Sequence, residues 1–574
     1  MGQAIISFVR EIFADLLVFG IHYYFIACLP LISAFFWRPA RFSHFIKLLD
    51  GYFQTISDSK IKSVVLIAVL AFASYWLFAF CFRFPFPTVA DEFGYLLSAD
   101  TFLHGRLTNP THPFWRHFES FHILHQPTYN SKYPIGQAVV LALGKLVSGS
   151  WIVGVWLSGV AACLAVWWML RGWFAPRWAL FGAIITIYNP IVFSWSQNYW
   201  GGFAAMLGGS LCLGAVVRII ARRKLSDAVI FGVGLSILAN SRPYEGFVFA
   251  VPLVVYLVFY SLRRRDSETN RASFFRKTVL PIALILLLNG VWLGYNNYRV
   301  TGDYLRLPYI EYTAQYDYIP LFIFQKTGKP VKYNNQLLET FYAEYYEDII
   351  QRKTNSVTSF VKAIVARVII FYVSFMLSPV LLILFLWSLI AKKSDESWLY
   401  LKLFLLLFTI AITLPNYFFP HYAAPAYGIF IILLVDGLRD LWSWENRWIA
   451  GRTIVLLVPI CLLTGIILFG GIYVTKRSFA NENGRQRAMI EARLKEEGGE
   501  HLIFIDFYEP QSQTPAVGNA SVYAYNEAEI NGSKIVWAHQ LSSPEDARLI
   551  DYFSGRKVWL LKLDKDGKPQ LLPY

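Results

Sequence analysis

Two carboxylates, Asp91 and Glu92, stand side by side in PFPTVADEFGYLLSADTF (85–102), just after a long apolar run. Most such pairs are solvated loop acids. Ionisable groups retained where a span leaves the membrane, however, commonly face a cavity and do chemistry there. A carboxylate at such a place can take a proton from an attacking hydroxyl. The following GYLLSADTFLHG has apolar spacing suited to a helix along the interface, which would hold the pair against the membrane.

The same loop continues RLTNPTHPFWRHFESFHILHQPTYNSKYPIGQ and holds five of the ten histidines, His104, His112, His117, His122 and His125. Zinc would use imidazoles, but the spacing fits no helical HExxH and no cysteine joins, so aromatic-rich packing is the expectation. Lys132 and Tyr133, just before the next apolar segment, are placed to meet a phosphate at the membrane surface. A snorkelling lysine is the alternative. In NSRPYEG (240–246) the planar fork of Arg242 suits a phosphate or carboxylate. Glu245 is either part of that site or simply the ion-pair partner of Arg242. The turn NYWGG brings Tyr199 and Trp200, and YFFPHYAAP brings His421 and Tyr422. These aromatics either stack on a sugar or form an interfacial belt. The tyrosine-rich TGDYLRLPYIEYTAQYDY, with Asp303, Arg306 and Glu311, has the makings of a cover over a cavity mouth but contains no specific motif.

What must position these residues is a membrane-embedded body. The 574-residue chain is 56% hydrophobic and 16% charged with mean hydropathy +0.43, values outside the soluble range. The apolar runs predict crossings near 61–82, 151–170, 178–193, 201–220, 227–240, 245–261, 278–296, 363–391, 399–415, 422–438 and 453–474. A further apolar stretch at 12–36 reads as one span or as a hairpin at Pro30, giving about 11–13 transmembrane helices. Loops at 37–62, 171–177, 218–224, 262–277, 391–398 and 439–452 hold 22 Lys and Arg, against one, Arg242, in the opposite loops 194–200, 241–244 and 416–421. The positive-inside rule puts the basic loops in the cytoplasm. The net charge of +14 therefore reflects membrane orientation rather than nucleic-acid binding.

Loops 84–135 and 297–358 and the tail 475–574 then face outward, giving a membrane domain over 1–474 and a separate tail domain. In the tail, HLIFIDFY, SVYAYN, KIVWAHQL and RKVWLLKL have strand character, and SSPEDARLIDYF opens like a helix. A small extracytoplasmic α/β domain is expected. No nucleotide fingerprint is present, so ATP- or NAD-driven chemistry is unsupported. Five cysteines in apolar segments read as core residues, and the N-terminus lacks the pattern of a cleaved signal peptide.

The order DE (91–92), SKYPIGQ, NYWGG, SRPYEG and HYAAP, with the tail segment YNEAEINGSKIVWA, resembles the C-type (GT-C fold) membrane glycosyltransferases. The likeness is greatest to bacterial relatives of the dolichyl-phosphate-mannose protein mannosyltransferases and of the lipid A aminoarabinose transferases. The resemblance implies a polyprenyl-phosphate sugar donor and inverting transfer to a glycan, lipid or protein hydroxyl outside the cytoplasmic membrane. It maps Asp91 to the catalytic base and Glu92 to its acidic neighbour. Lys132 and Arg242 follow from charge and sidedness as donor-phosphate ligands, because a phosphate leaving group needs cations rather than a general acid. The chain departs from the protein mannosyltransferases in having no inserted β-trefoil, which leaves protein as acceptor in question. No second acidic pair faces Asp91–Glu92, so no cofactor and no divalent metal is expected. Two other classes compete: a transporter or flippase of a lipid-linked saccharide, and a scaffold whose tail binds partners.

Overall fold

The computed structural model describes residues 43–263, 272–329, 331–335, 337–339, 341–342, 356–376, 378–391, 396–444, 451–475, 479–506, 522–563 and 569–574. The stretch 12–36 lies outside them. Among the described residues, eight helices are long and apolar enough to cross a membrane: Lys60–Cys81, Trp151–Leu170, Gly202–Arg222, Pro243–Ser261, Ala272–Thr301, Val357–Phe375, Pro420–Trp442 and Gly451–Leu468. The protein is a multi-pass helical membrane protein with a small sheet-bearing tail.

Several expected crossings take a different form. The run at 178–193 is a pair, Pro176–Ile187 and Pro190–Gln197, bent by 52°, and counts as a ninth span only if taken together. Pro190 lacks the N–H that would continue the helix, and Asn189 caps the new one at the Val192 N–H. The run at 363–391 is two helices, Val357–Phe375 and Pro379–Ile390, parted at Pro379 for the same reason. Helices Leu225–Ser241 and Glu396–Ile412 have 17 residues each, short of the roughly 20 an upright span needs. The bent pair and the two short helices are the three of the eleven expected crossings that do not count among the eight.

The helix Tyr427–Trp442 is buried along its whole length from Tyr427 to Leu438 and forms the centre of the bundle. Lipid cannot drive helices together as water does, so close backbone contact matters more. Two glycines provide it beneath the outward face. Gly209 lies against the Pro425 carbonyl, and a Cβ on Gly136 would meet the Asn240 carbonyl at 2.7 Å. The second contact sets SKYPIGQ directly against NSRPYEG.

At one end of the bundle, the loop 84–135 forms the helix Ala90–Leu103 and a small antiparallel sheet, β1 (Asn109–Pro110), β3 (Thr128–Ser131) and β2 (Ile123–Leu124), in the order β1-β3-β2. The tail begins with the helix Phe479–Glu497 and builds a four-stranded sheet, β5-β4-β6-β7. Its strands are β4 (His501–Asp506), β5 (Ile535–His539), β6 (Lys557–Leu563) and β7 (Pro569–Pro573), with β4 parallel to both β5 and β6. A strand paired on both sides and covered on both faces reads as a continuous apolar run, as HLIFI does. The segment SVYAYN, expected as a strand, is not one over its described residues. The Arg487 guanidinium takes the Val522 and Tyr525 carbonyls that a ladder would need.

The tail sheet shares one core with the first outward loop: Leu97, Phe118, Ile123 and Tyr129 pack with Leu502, Phe504, Tyr525 and Val536. Tyr525 stacks flat on Phe93 at 4.5 Å, and its hydroxyl donates to the Phe121 carbonyl at 3.0 Å. Asp100 accepts the Ala528 N–H at 2.8 Å, and Arg106 pairs with Glu529. The Ala90–Leu103 helix is thus covered by protein, where its apolar spacing had suggested a helix along the interface. Tyr525→Ala removes the stack and the hydroxyl bond together and is expected to cost about 3 kcal/mol. The unfolding midpoint of the purified protein reads this, and an unchanged midpoint would show that the tail does not brace the helix.

Candidate active site

The helix bearing Asp91 starts at Ala90, and its first turn separates the two carboxylates. Glu92, three residues after the cap Val89, reaches back to the Val89 N–H (3.2 Å) and the Thr88 N–H (2.6 Å). This is the return half of a capping box. Its other oxygen accepts the Tyr199 N–H at 2.8 Å. Glu92 is only 1% exposed, and burial pushes its carboxyl up to about 7 against the pull of those donors. It is held inside the protein, turned away from Asp91 and Tyr133. Its part is to position the helix, which differs from the catalytic partnership expected beside Asp91.

Asp91 points the other way, with 37% of its side chain exposed. The Tyr133 hydroxyl donates to Oδ1, and His122 Nε2 lies 3.9 Å from Oδ2. Burial raises its carboxyl, but His122, the Tyr133 hydroxyl, Lys132 and Arg242 together outweigh this and hold it below the ordinary carboxylate value. It is an ionised base at neutral pH. His122 adopts a left-handed backbone (φ 66°), a conformation that carries strain in non-glycine residues. Burial and the neighbouring Lys132 push its imidazole down to about 3, while the Asp91 carboxylate pulls it up.

Lys132, 6% exposed, sits among three tyrosine rings, with its ammonium 5.4 Å from Tyr133, 5.1 Å from Tyr309 and 4.6 Å from Tyr312. Burial pushes it down to about 8 while Asp317 and Asp91 pull it up. Asp317 is itself fixed by the Ile319 N–H and the Tyr417 hydroxyl, both at 3.0 Å. Arg242 lies with its guanidinium carbon 4.0 Å over the Tyr422 ring. Among the described residues it makes no ion pair within 4 Å with Glu245, which is buried nearby and acts on it through the field. The structural Arg–Glu pair weighed from sequence is therefore not formed. Tyr95 stacks on Tyr133 at 4.7 Å.

Around Tyr422, His421 lies edge-on at 4.8 Å, and Trp200 lies 4.6 Å from His421. The Trp200 indole N–H is buried and has no partner among the described residues. Tyr199 turns inward, its hydroxyl donating to the Pro85 carbonyl at 3.1 Å, and Gln137 holds its carbonyl at 2.9 Å. It belongs to the frame with Glu92 rather than to a sugar-stacking surface. Asp91, Lys132, Tyr133, Arg242 and Tyr422 come together, with His421 and Trp200 behind them. Sequence reasoning missed Tyr95, Tyr309, Tyr312 and Asp317, and treated His122 only as one of five histidines. Its one distinguishing signal was proximity to SKY along the chain.

The other histidines spread across the loop–tail contact. His117 pairs with Asp546 at 3.2 Å, His112 meets Asn531 at 2.8 Å, His125 lies beside Tyr129, and His104 bonds the Asp100 carbonyl. Among the described residues no three His, Cys, Asp or Glu side chains converge on a possible metal position. Asp303 closes its own turn onto Leu305, and Arg306 pairs with Glu311 at 2.6 Å.

No family model and no curated protein matches the chain. Among solved structures, ArnT from Cupriavidus metallidurans bound to undecaprenyl phosphate is similar at 12% identity over 88% of this chain and 93% of that one, with TM-score 0.49. The apo oligosaccharyltransferase of Archaeoglobus fulgidus is similar at 12% identity over 88% of this chain and 69% of that one, with TM-score 0.46. AglB from the same organism, complexed with an inhibitory peptide and a dolichol-phosphate, is similar at 10% identity over 90% and 74%, with TM-score 0.46.

The two neighbouring carboxylates have separable effects on stability. Glu92→Ala leaves three backbone N–H groups without their acceptor and is expected to cost on the order of 3 kcal/mol. Asp91→Ala, at an open carboxylate, is expected to stay within about 1 kcal/mol of wild type. Equal shifts of the unfolding midpoint would contradict the division of roles.

Proposed function

We propose that the protein is an inverting glycosyltransferase that moves a hexosyl or pentosyl unit from a polyprenyl-phosphate donor to an acceptor hydroxyl at the outer face of the cytoplasmic membrane. The observation that carries this reading is one carboxylate base beside two cations that form no ion pair among the described residues. Lys132 lies 5.4 Å over the ring of Tyr133, whose hydroxyl donates to Asp91, and the charges of Lys132 and Arg242 both lower the Asp91 carboxyl.

In the proposed step the acceptor oxygen attacks the anomeric carbon while its proton passes to Asp91. The bond from that carbon to the phosphate oxygen breaks on the opposite face, and the electron pair leaves with the phosphate. Lys132 and Arg242 meet the growing phosphate charge, which is the use to which preorganised donors are best suited. The Tyr133 hydroxyl orients the Asp91 carboxyl. Trp200, His421 and Tyr422 offer the aromatic wall for the sugar ring, and the polyprenyl chain stays in the bilayer. Each role is filled by a side chain, and the step as written calls on no cofactor. The same groups lie together at one end of the bundle, which suits surface chemistry better than the mid-membrane sites of a flippase.

Purified protein with a polyprenyl-phosphate sugar and a hydroxyl acceptor tests this. Asp91→Asn keeps the shape but removes the base, and is expected to lower kcat by roughly 10²–10⁴-fold. Unchanged turnover would remove Asp91 from the reaction. The pH profile is a second test. Asp91 is ionised above its depressed value, so the rate holds through neutral pH and falls as pH rises through about 8, where Lys132 loses its proton. Lys132→Met is expected to give a low rate with no alkaline limb near that pH. A limb that persists in Lys132→Met belongs to another group.

A further inference from the structure

The two outward loops meet a second time beside the helix Pro308–Tyr316, where they enclose an open cleft of about 500 Å³. Its walls carry Thr111, Gln126, Thr301, Arg306, Glu311 and Gln315, and its one apolar member is Pro127. The cleft and the candidate active site share this helix. Tyr309 and Tyr312 lie against Lys132 from one face, while Glu311 and Gln315, four residues apart, line the cleft from another. A helix is roughly 10 Å across, so the two sites are neighbours on either side of one wall.

The polar groups of the cleft are tied in a way that leaves their recognition atoms open. Arg306 gives its Nε to Glu311 Oε2 at 2.6 Å, which fixes the guanidinium plane. Its two terminal nitrogens have no partner among the described residues. Gln315 donates to Glu311 Oε1 at 2.5 Å and to the Gln126 carbonyl at 2.9 Å, so the carboxylate is held with lone pairs to spare. The Thr111 hydroxyl donates to the His125 and Pro127 carbonyls and remains an acceptor. One arginine and one glutamate give the lining no net charge.

This chemistry excludes three classes of ligand. A polyprenyl chain needs apolar walls. A phosphate needs an excess of donors and positive charge. A peptide needs a free strand edge or apolar side-chain pockets, and neither lines the cleft. Vicinal hydroxyls fit, since each can accept from the Arg306 fork and donate to Glu311 at once. We propose that the cleft binds a hydroxyl-rich, uncharged saccharide, the distal part of the acceptor. The word acceptor rests on the glycosyl-transfer reading above, whereas the saccharide site does not.

Saccharide binding is measured by saturation-transfer NMR on the full-length protein in lipid nanodiscs, with chitotriose and isomaltotriose as probes and a Gly-Ser peptide as control. At least one trisaccharide is expected to bind, with affinity weakened roughly 10-fold or more by Arg306→Ala. Thr111→Val, which keeps the side-chain volume, is expected to weaken it in the same direction, and the unfolding midpoint of both variants checks that they remain folded. Failure of both sugars to bind, or binding indifferent to both variants, overturns the proposal. Binding of the peptide in an Arg306-dependent way overturns it in favour of a polypeptide ligand. Asp91→Asn is expected to leave saccharide binding unchanged. If that variant also keeps full donor turnover, the glycosyl-transfer reading fails while the saccharide site stands.

Discussion

Three backbone N–H groups, from Thr88, Val89 and Tyr199, converge on the buried carboxylate of Glu92. Buried backbone donors must be paired, and here one side chain pairs donors from two distant stretches of chain. The entry to the Ala90–Leu103 helix and the turn ahead of the Gly202–Arg222 helix are thereby fixed to each other. Asp91 is one residue earlier, about 100° round the helix. With Glu92 locked inward, Asp91 can only face Tyr133 and His122. Gln137 extends the same frame to the Tyr199 carbonyl, and Gly136 lets the next helix touch the Asn240 backbone, two residues before Arg242. The geometry of the whole site is referred to that one acid.

The cations are held by a different principle. A buried ammonium or guanidinium is costly unless something compensates it, and the usual compensation is a carboxylate in contact. Lys132 and Arg242 instead rest on tyrosine faces, with Asp91, Asp317 and Glu245 acting at longer range. A ring face stabilises a cation without occupying its N–H donors. The charges are kept, and among the described residues no carboxylate occupies their donors, while the Tyr422 hydroxyl interacts with the Arg242 guanidinium. A contact ion pair would have given more stability and left less for an incoming anion, so the aromatic cages favour an anionic ligand over resting-state stability.

Much of this site was legible in the chain, and the reasons differ residue by residue. Arg242 stood out because it is the one basic residue in the short loops expected to face outward, and Asp91 and Lys132 because each borders an apolar segment. Residue type and spacing did not separate Asp91 from Glu92, which only the resemblance ranked, since their opposite orientations depend on where the first helical turn begins. Asp317, Tyr309 and Tyr312 belong to a loop without a motif, and only its docking beside Lys132 gives them a place. The helical membrane class was plain from hydropathy, but the breaks at Pro190 and Pro379 were absorbed into continuous apolar runs. SVYAYN alternates as a strand does. What overrides the pattern is Arg487, which no local reading of those six residues contains.

The Ala90–Leu103 helix shows why its apolar spacing misled. Phe93, Leu97 and Asp100, at intervals of four and three, face the tail, while Asp91 and Tyr95, four apart, face Tyr133. A helix clasped between two protein bodies has no solvent face to carry polar residues, so the pattern is the same as that of a helix lying on lipid. The tail cannot shift without moving Phe93 or Asp100, and neither can move without turning Asp91 relative to Lys132 and Arg242. A small domain attached after the last membrane helix thereby becomes a mechanical part of the site, through contacts between residues more than 400 positions apart.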